Sequence, residues 1–158
     1  MIVLAYTSTH QLRTEPDARR FWIIGILMSL RDNATRMEVR FGETDAMLYH
    51  RVDGRDWEIA TVSEDLFPEL KPALRSVSRL LSPERPDFTI TAGLPDARME
   101  PQEIGWLTFD LDQRLIDLVV RIDPREPFGY VQIDIEYPEE AELGGLAGAA
   151  LAEYYDDE

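Results

Sequence analysis

Residues 14–33, TEPDARRFWIIGILMSLRDN, decide the fold because they predict a helix that is apolar on most of its sides. Thr14 or Asp17 can cap its start, and Asn33 can end it. Pro16 suits the first turn of such a helix. Between these signals lie eight large apolar residues: Phe21, Trp22, Ile23, Ile24, Ile26, Leu27, Met28 and Leu30. A helix with so wide an apolar surface is buried on most sides, so we expect it at the centre of the core.

Three strands are predicted directly after this helix, at residues 36–41, 47–52 and 57–62. Apolar and polar residues alternate in the first of them, which is the period of a strand. Asp53-Gly54, between the second and third strands, is a strong signal for a tight hairpin turn. A second helix is predicted from Ser63 to about Leu81, since Ser63-Glu64-Asp65 can cap its start.

The second half of the chain predicts more strands and a last helix. The strands are expected at residues 88–91, 106–111, 115–122 and 130–136. Asp112-Gln113 predicts a tight turn, and Pro138-Glu139-Glu140 predicts the start of the C-terminal helix. The expected fold class is therefore α+β. We expect an antiparallel sheet in the order helix, three strands, helix and strand meander, followed by the C-terminal helix.

The 158 residues are predicted to form a single domain, because neither a linker nor a repeat interrupts the sequence. We expect an N-terminal arm at 1–16, an α+β core at 17–136, and a C-terminal helix with an acidic tail at 137–158. Residues 2–8 of the arm could also form a short strand.

The charge of the chain restricts its partners. The net charge is −15, and residues 82–158 hold 19 acidic residues against 5 basic ones. Nucleic acids and anionic lipids would be repelled by that half. The acidity serves either solubility or attraction to a basic partner. The sequence predicts a cytoplasmic location without membrane insertion. The chain has no cysteine, and its start is unlike a signal peptide. Its longest apolar run is shorter than the about 20 residues that a membrane span needs.

Several stretches resemble one known family of modules. Its motifs A-S-D-I-H-I-E, R-F-R-I-D-G, P-Q-D-G-R, E-V-D-L-R-V-S and V-V-L-R-I are similar to Ala34–Val39, Leu48–Gly54, Pro101–Gly105, Leu115–Arg121 and Val131–Ile135. The family is the N-terminal PAS-like module that precedes the RecA-type motor of type II secretion and type IV pilus assembly ATPases. Arg36 and Glu38 stand where the family has aspartate and histidine. The resemblance implies a stand-alone or excised relative that acts as an adaptor or regulator.

The resemblance also implies a partner, namely a motor ATPase or another component of the secretion or pilus machinery. No G-x-x-x-x-G-K-S/T motif occurs in the chain, so the sequence predicts no phosphate-binding loop. Arg51 loosely matches a position from which the family places a basic residue near a neighbouring nucleotide. The competing interpretation makes Arg51 a cross-strand charge beside Glu38 or Glu58.

The candidate interaction surface consists of Arg36, Arg51 and Trp106. Trp22, Trp57 and Trp106 are all core candidates by composition, but Trp106 could lie on an exposed sheet face. An exposed tryptophan next to acidic residues is typical of a protein interface.

We predict no catalytic residue, no cofactor and no metal site. His10 and His50 are the two histidines, and no neighbouring residue in the sequence orients either one. Asp110, Asp112 and Asp117 lack the glycine and glutamate of a calcium loop, so they predict a solvated hairpin.

Two alternative functions stay open. One is an acidic chaperone of a secreted protein, similar to type III secretion chaperones in composition and architecture, and it would form a homodimer. An immunity-type inhibitor of a basic protein is a variant of this binding function. The other is an enzyme with a cleft around Glu38, His50 or Asp117.

Overall fold

The computed structural model describes residues 3–42, 45–81, 102–125, 128–137 and 143–156. Eight strands form one sheet: β1 (Val3–Tyr6), β2 (Arg36–Phe41), β3 (Ala46–Val52), β4 (Arg55–Val62), β5 (Arg79–Leu80), β6 (Glu103–Leu111), β7 (Arg114–Ile122) and β8 (Gly129–Ile135). The helices are α1 (Thr9–Thr14), α2 (Asp17–Arg31), α3 (Leu70–Val77) and α4 (Leu143–Asp156). The chain is therefore an α+β protein with a C-terminal helix. None of the described helices is long and apolar enough to cross a membrane.

The sheet is mixed, and the prediction of an antiparallel sheet is wrong. Its strands lie in the order β1-β6-β7-β8-β2-β3-β4, with β5 beside β6. β1 runs parallel to β6, whereas the other pairs are antiparallel. A parallel pair requires a long connection, and residues 7–102 supply it between β1 and β6. The segment predicted as an N-terminal arm thus contributes a strand to the sheet and continues into α1.

The described helices pack on one face of the sheet, and α2 lies in the middle of them, as predicted. Trp22, Ile23, Ile26, Leu27 and Leu30 of α2 are buried together with the inward-facing residues of the strands. α4 packs closely along α2, because a Cβ atom on Gly144 would lie 3.3 Å from the carbonyl oxygen of Leu30. The small residues Gly144 and Gly148 of α4 therefore lie against the end of α2.

The helix predicted from Ser63 to Leu81 is shorter and broken. A 3₁₀ turn spans Phe67–Glu69, α3 ends at Val77, and the last residues of the predicted helix form β5 instead. Pro68 is the second residue of the 3₁₀ turn, and Pro72 lies in the first turn of α3, where a missing N–H costs no hydrogen bond.

The start of α2 also differs from prediction. Thr14 belongs to α1, and Pro16 is the residue that precedes the helix, without a capping side chain. Asn33 does follow its end in a left-handed conformation, with φ of 57°. The predicted strand at 88–91 and the start of the last helix at 138–140 lie outside the described residues.

The two predicted hairpin turns are confirmed. Asp53 and Gly54 have φ of 53° and 77°, and Asp112 and Gln113 have φ of 48° and 76°. Two consecutive positive φ values are typical of the type I′ turn, whose twist matches that of the flanking strands.

Lys71, the only lysine in the chain, is buried under the loop that joins β7 to β8. Its Nζ donates to the carbonyl oxygens of Asp123, Arg125 and Phe128 at 2.6, 2.7 and 2.9 Å. The Phe41 ring lies 5.0 Å from the same ammonium group. A buried charge needs partners of this kind, so Lys71 fixes the loop to α3.

Candidate interaction surface

The face of the sheet opposite the described helices is called the outer face here. Side chains alternate along each strand, so those paired directly across neighbouring strands share a face. Trp106 pairs with Val119, Val119 with Asp134, Asp134 with Arg36, Arg36 with Arg51, and Arg51 with Asp56. These six residues form one line across the outer face, the transverse row. The three residues predicted from the sequence as an interaction surface, Arg36, Arg51 and Trp106, all lie in it.

The outer face is apolar at the β6–β7 end. Trp106 is 41% exposed, Ile104 is 39% exposed and Leu115 is 56% exposed, whereas the inward-facing Leu107 and Phe109 are buried. Val119 lies next to Trp106 and is half-buried. Three neighbouring side chains form the apolar end of the outer face: Ile104, Trp106 and Val119. The polar pair of Thr108 and Asp117 separates them from Leu115.

Ion pairs hold the arginines in the middle of the outer face. The Nε atom of Arg36 donates to Oδ1 of Asp134 at 2.7 Å, and Arg121 pairs with the same carboxylate. The Nε atom of Arg51 donates to Oδ1 of Asp56 at 3.0 Å. Two of the three predicted interaction residues are therefore fixed in place before any partner arrives.

Arg40 of β2 connects a carboxylate of its own strand with a carboxylate on β4. It donates to Glu38 at 3.0 Å and to Asp56 at 2.9 Å, and it lies 4.0 Å over the ring of Tyr49. The hydrogen bonds from Arg51 hold the pKa of the Asp56 carboxyl below its usual value, and those from Arg40 add to this effect. Asp56 therefore stays ionised and links the two arginines.

The ion-pair partner of Arg51 was not among its expected neighbours, Glu38 and Glu58, although the Glu38 charge does act on Arg51. Its cross-strand partner is Asp56, whereas Glu38 pairs with Arg40, and Glu58 lies opposite Tyr49. The two-residue turn at Asp53-Gly54 sets this pairing, because it places Val52 opposite Arg55 and Arg51 opposite Asp56. The bulge in β4 lies farther from the turn, between the pairs of Tyr49 and Leu48, and does not change the partner of Arg51.

The three tryptophans have different environments. Trp22 is buried and donates its Nε1 hydrogen to the carbonyl oxygen of Leu70 at 2.8 Å. Trp57, predicted as a core candidate, is 52% exposed, because it lies on the edge strand β4 where none of the described helices reaches. Trp106 is the tryptophan on the outer face.

His50 lies in a buried cluster with Ser29 and Asp32. Ser29 donates its hydroxyl hydrogen to the carbonyl oxygen of Gly25 at 2.8 Å, so its oxygen accepts from His50 Nε2 at 3.0 Å. The Nδ1 atom of His50 is 3.7 Å from Asp32 and has no hydrogen-bond partner among the described residues. Burial lowers the pKa of His50, and the nearby Asp32 charge opposes this only in part.

This cluster has the residue types of a hydrolytic triad but not its access. Ser29 and His50 are both fully buried, and the serine hydroxyl is already bonded within its own helix. A substrate carbonyl would need to reach the serine oxygen, which the packing prevents. Sequence reasoning missed that Ser29 orients His50, because the two residues meet only through tertiary packing. His10 lies exposed in α1, far from this cluster in the fold.

The aspartates of the β6–β7 hairpin serve the hairpin. Asp110 accepts from the backbone N–H of Gln113 at 2.7 Å, and Asp117 accepts from the hydroxyl of Thr108 at 3.1 Å. In the part of the chain that the structure describes, no group of three acidic or histidine side chains is placed to hold a metal ion.

No model of a known protein family matches the sequence, and no curated protein matches it.

Proposed function

We propose that the chain is a non-catalytic protein-binding domain whose contact surface is the outer face of its sheet. The observation that carries the proposal is the transverse row, in which the exposed Trp106 and the fixed Arg36 and Arg51 lie on one face that none of the described helices covers. Tryptophan and arginine are the residues that contribute most to binding at protein interfaces.

The two ends of the outer face would serve different purposes. The apolar end can be buried by a partner, which gives affinity from the removal of exposed apolar surface. The arginines and carboxylates beside it are already ordered by ion pairs, so binding would cost them little conformational entropy. Their alternating charges would select a partner with a matching pattern.

The biological role within this proposal is that of an adaptor or regulator. The resemblance to the secretion and pilus ATPase module favours a motor ATPase or a component of that machinery as the partner, with a cytoplasmic location. The same proposal includes the order of elements that the resemblance implies, namely a helix, three strands, a helix and a strand meander. The charge of −15 disfavours nucleic acid as the partner.

One observation favours the chaperone alternative. The described helices all pack on one face, and on the opposite face exposed apolar residues that no described helix covers could bind a segment of another chain. An acidic chaperone of a secreted protein, or an inhibitor of a basic protein, would use such a surface. This alternative predicts a homodimer, so a measurement of the oligomeric state tests it.

The test is affinity capture from the native cell with mass spectrometry, combined with light scattering of the purified chain. Recovery of a motor ATPase or a pilus component supports the adaptor role. Recovery of one dominant secreted or basic protein by a dimeric chain supports the chaperone alternative instead. Equal recovery of every protein by the chain and by the Trp106→Ala variant contradicts both.

A further inference from the structure

A groove of about 450 Å³ lies on the other side of the molecule, among the helices. Its walls come from the first half of α2, the segment 63–69 and the end of α4. The lining residues are Asp17, Arg20, Phe21, Ile24, Ser63, Asp65, Leu66, Glu69 and Tyr154. None of them belongs to the outer face, so the groove is independent of the proposed interaction surface.

The floor of the groove is apolar and rigid. Phe21, Ile24 and Leu66 are each half-buried and pack against the core while they still line the open groove. Phe21 also contacts the buried Trp22 edge to face, at 5.2 Å between ring centres. Floor residues fixed in this way do not need to rearrange when an aliphatic group covers them.

The rim of the groove is acidic. Asp17 is paired with Arg20 at 2.8 Å, and Arg20 also donates to the carbonyl oxygen of Glu15 at 3.1 Å. Asp65 and Glu69 are exposed, and neither carboxylate forms an ion pair with any described residue. The carboxylates of Asp65 and Glu69 therefore face the groove without an ion pair. Arg20, the cationic residue of the groove lining, is already paired with the carboxylate of Asp17.

We propose that this groove binds a single arginine or lysine side chain from a basic peptide segment of a partner protein. Such a side chain has an apolar stem and a charged head, and the groove offers an apolar floor and an acidic rim. The stem would cover Phe21, Ile24 and Leu66, while the head would meet Asp65 and Glu69. The charge of −15 on the whole chain would attract the same segment over a longer distance.

Arginine and lysine are favoured over other occupants by charge. An acidic peptide would be repelled by Asp65 and Glu69, and a purely apolar side chain would leave both carboxylates without a partner. An arginine head can donate to either carboxylate through its fork of N–H groups, so we expect arginine to bind more tightly than lysine.

The experiment is a titration of the ¹⁵N-labelled chain with acetyl-Leu-Arg-Leu-amide, followed by NMR chemical shifts. The matched peptide acetyl-Leu-citrulline-Leu-amide has the same shape without the charge. We expect the arginine peptide to shift the amide signals of residues 63–69 and of the start of α2, and the citrulline peptide to bind at least about fivefold more weakly.

The variants separate this site from general attraction to an acidic protein. Asp65→Asn with Glu69→Gln should weaken the arginine peptide about tenfold, the loss expected for two exposed ion pairs. The control, Glu58→Gln with Asp112→Asn, removes the same charge from exposed positions away from the groove and should change affinity less than twofold. Equal weakening by both double variants, or equal binding of the two peptides, would overturn the proposal.

Discussion

Replacing Lys71 with methionine should destabilise the protein strongly, because the buried ammonium group is the donor to three carbonyl oxygens of one loop. Methionine keeps most of the volume of the lysine stem but donates nothing. The carbonyl oxygen of Asp123 is buried and would lose this donor, whereas those of Arg125 and Phe128 are partly exposed and can turn to water.

The magnitude follows from these three environments. Leaving one buried acceptor unpaired costs about 1–3 kcal/mol, and each partly exposed one costs about 0.5 kcal/mol after hydration. Part of this loss of stability is offset, because folding no longer has to remove water from a charged ammonium group. We therefore expect Lys71→Met to lower the free energy of unfolding by about 2–3 kcal/mol.

The assay is urea unfolding followed by tryptophan fluorescence and by circular dichroism, with the two transitions required to coincide. The matched control is Arg79→Met, which removes an exposed positive charge and should change stability by less than about 0.5 kcal/mol. A Lys71→Met variant as stable as the control would refute the assignment of Lys71 as the residue that fixes the loop.

Three further predictions concern single residues. The pKa of His50 is lowered in the folded chain, whereas in the unfolded chain it has its ordinary value of about 6.5. The unfolded chain therefore binds more protons as the pH drops from 7.5 to 5.5, and the free energy of unfolding should fall by up to about 1.4 kcal/mol per pH unit. Urea midpoints across that range test this, and His50→Gln should remove the slope. Gly105→Ala should destabilise by more than about 2 kcal/mol, since its Cβ would lie 2.1 Å from the backbone carbonyl oxygen of Arg79, and thermal unfolding measures the loss. Asp56→Asn should lower the free energy of unfolding by less than about 1 kcal/mol, because the ion pairs of Asp56 are partly exposed. It should also raise the mobility of the Arg51 side chain, measured by NMR relaxation, and an unchanged mobility would argue against the ordered row.

Local sequence signals predicted the local structure. The width of the apolar surface identified α2 as the central helix, and the Asp53-Gly54 and Asp112-Gln113 pairs identified two hairpin turns. Such signals work because the turn or helix depends mainly on residues adjacent in the chain.

Long-range pairing could not be predicted in the same way. β1 lies parallel to β6 although about a hundred residues separate them, and no short pattern encodes that contact. β5 was missed because its two residues follow α3 directly and resemble a continuing helix.

The three candidate residues were predicted from the sequence, and their ion-pair partners were not. Arg36 and Arg51 came from stretches that resemble the secretion ATPase module, and Trp106 was selected because an exposed tryptophan next to acidic residues is typical of a protein interface. The cross-strand register places all three in one row. Asp134 fixes Arg36 through the long-range pairing of β2 with β8, which no short pattern encodes. The pair of Arg51 with Asp56 follows from the Asp53-Gly54 turn and was overlooked. Trp57 was misjudged because its exposure depends on how far the helices extend over the sheet.

The most direct test of the central proposal compares three baits in quantitative affinity capture: the unchanged chain, Trp106→Ala and Trp57→Ala. Both tryptophans are exposed to a similar extent, but only Trp106 lies on the outer face. We predict a partner whose affinity falls about 30-fold with Trp106→Ala, as for a central interface tryptophan, and stays within about threefold with Trp57→Ala. Equal recovery of every partner by the two variants would contradict the assignment of the outer face as the binding surface.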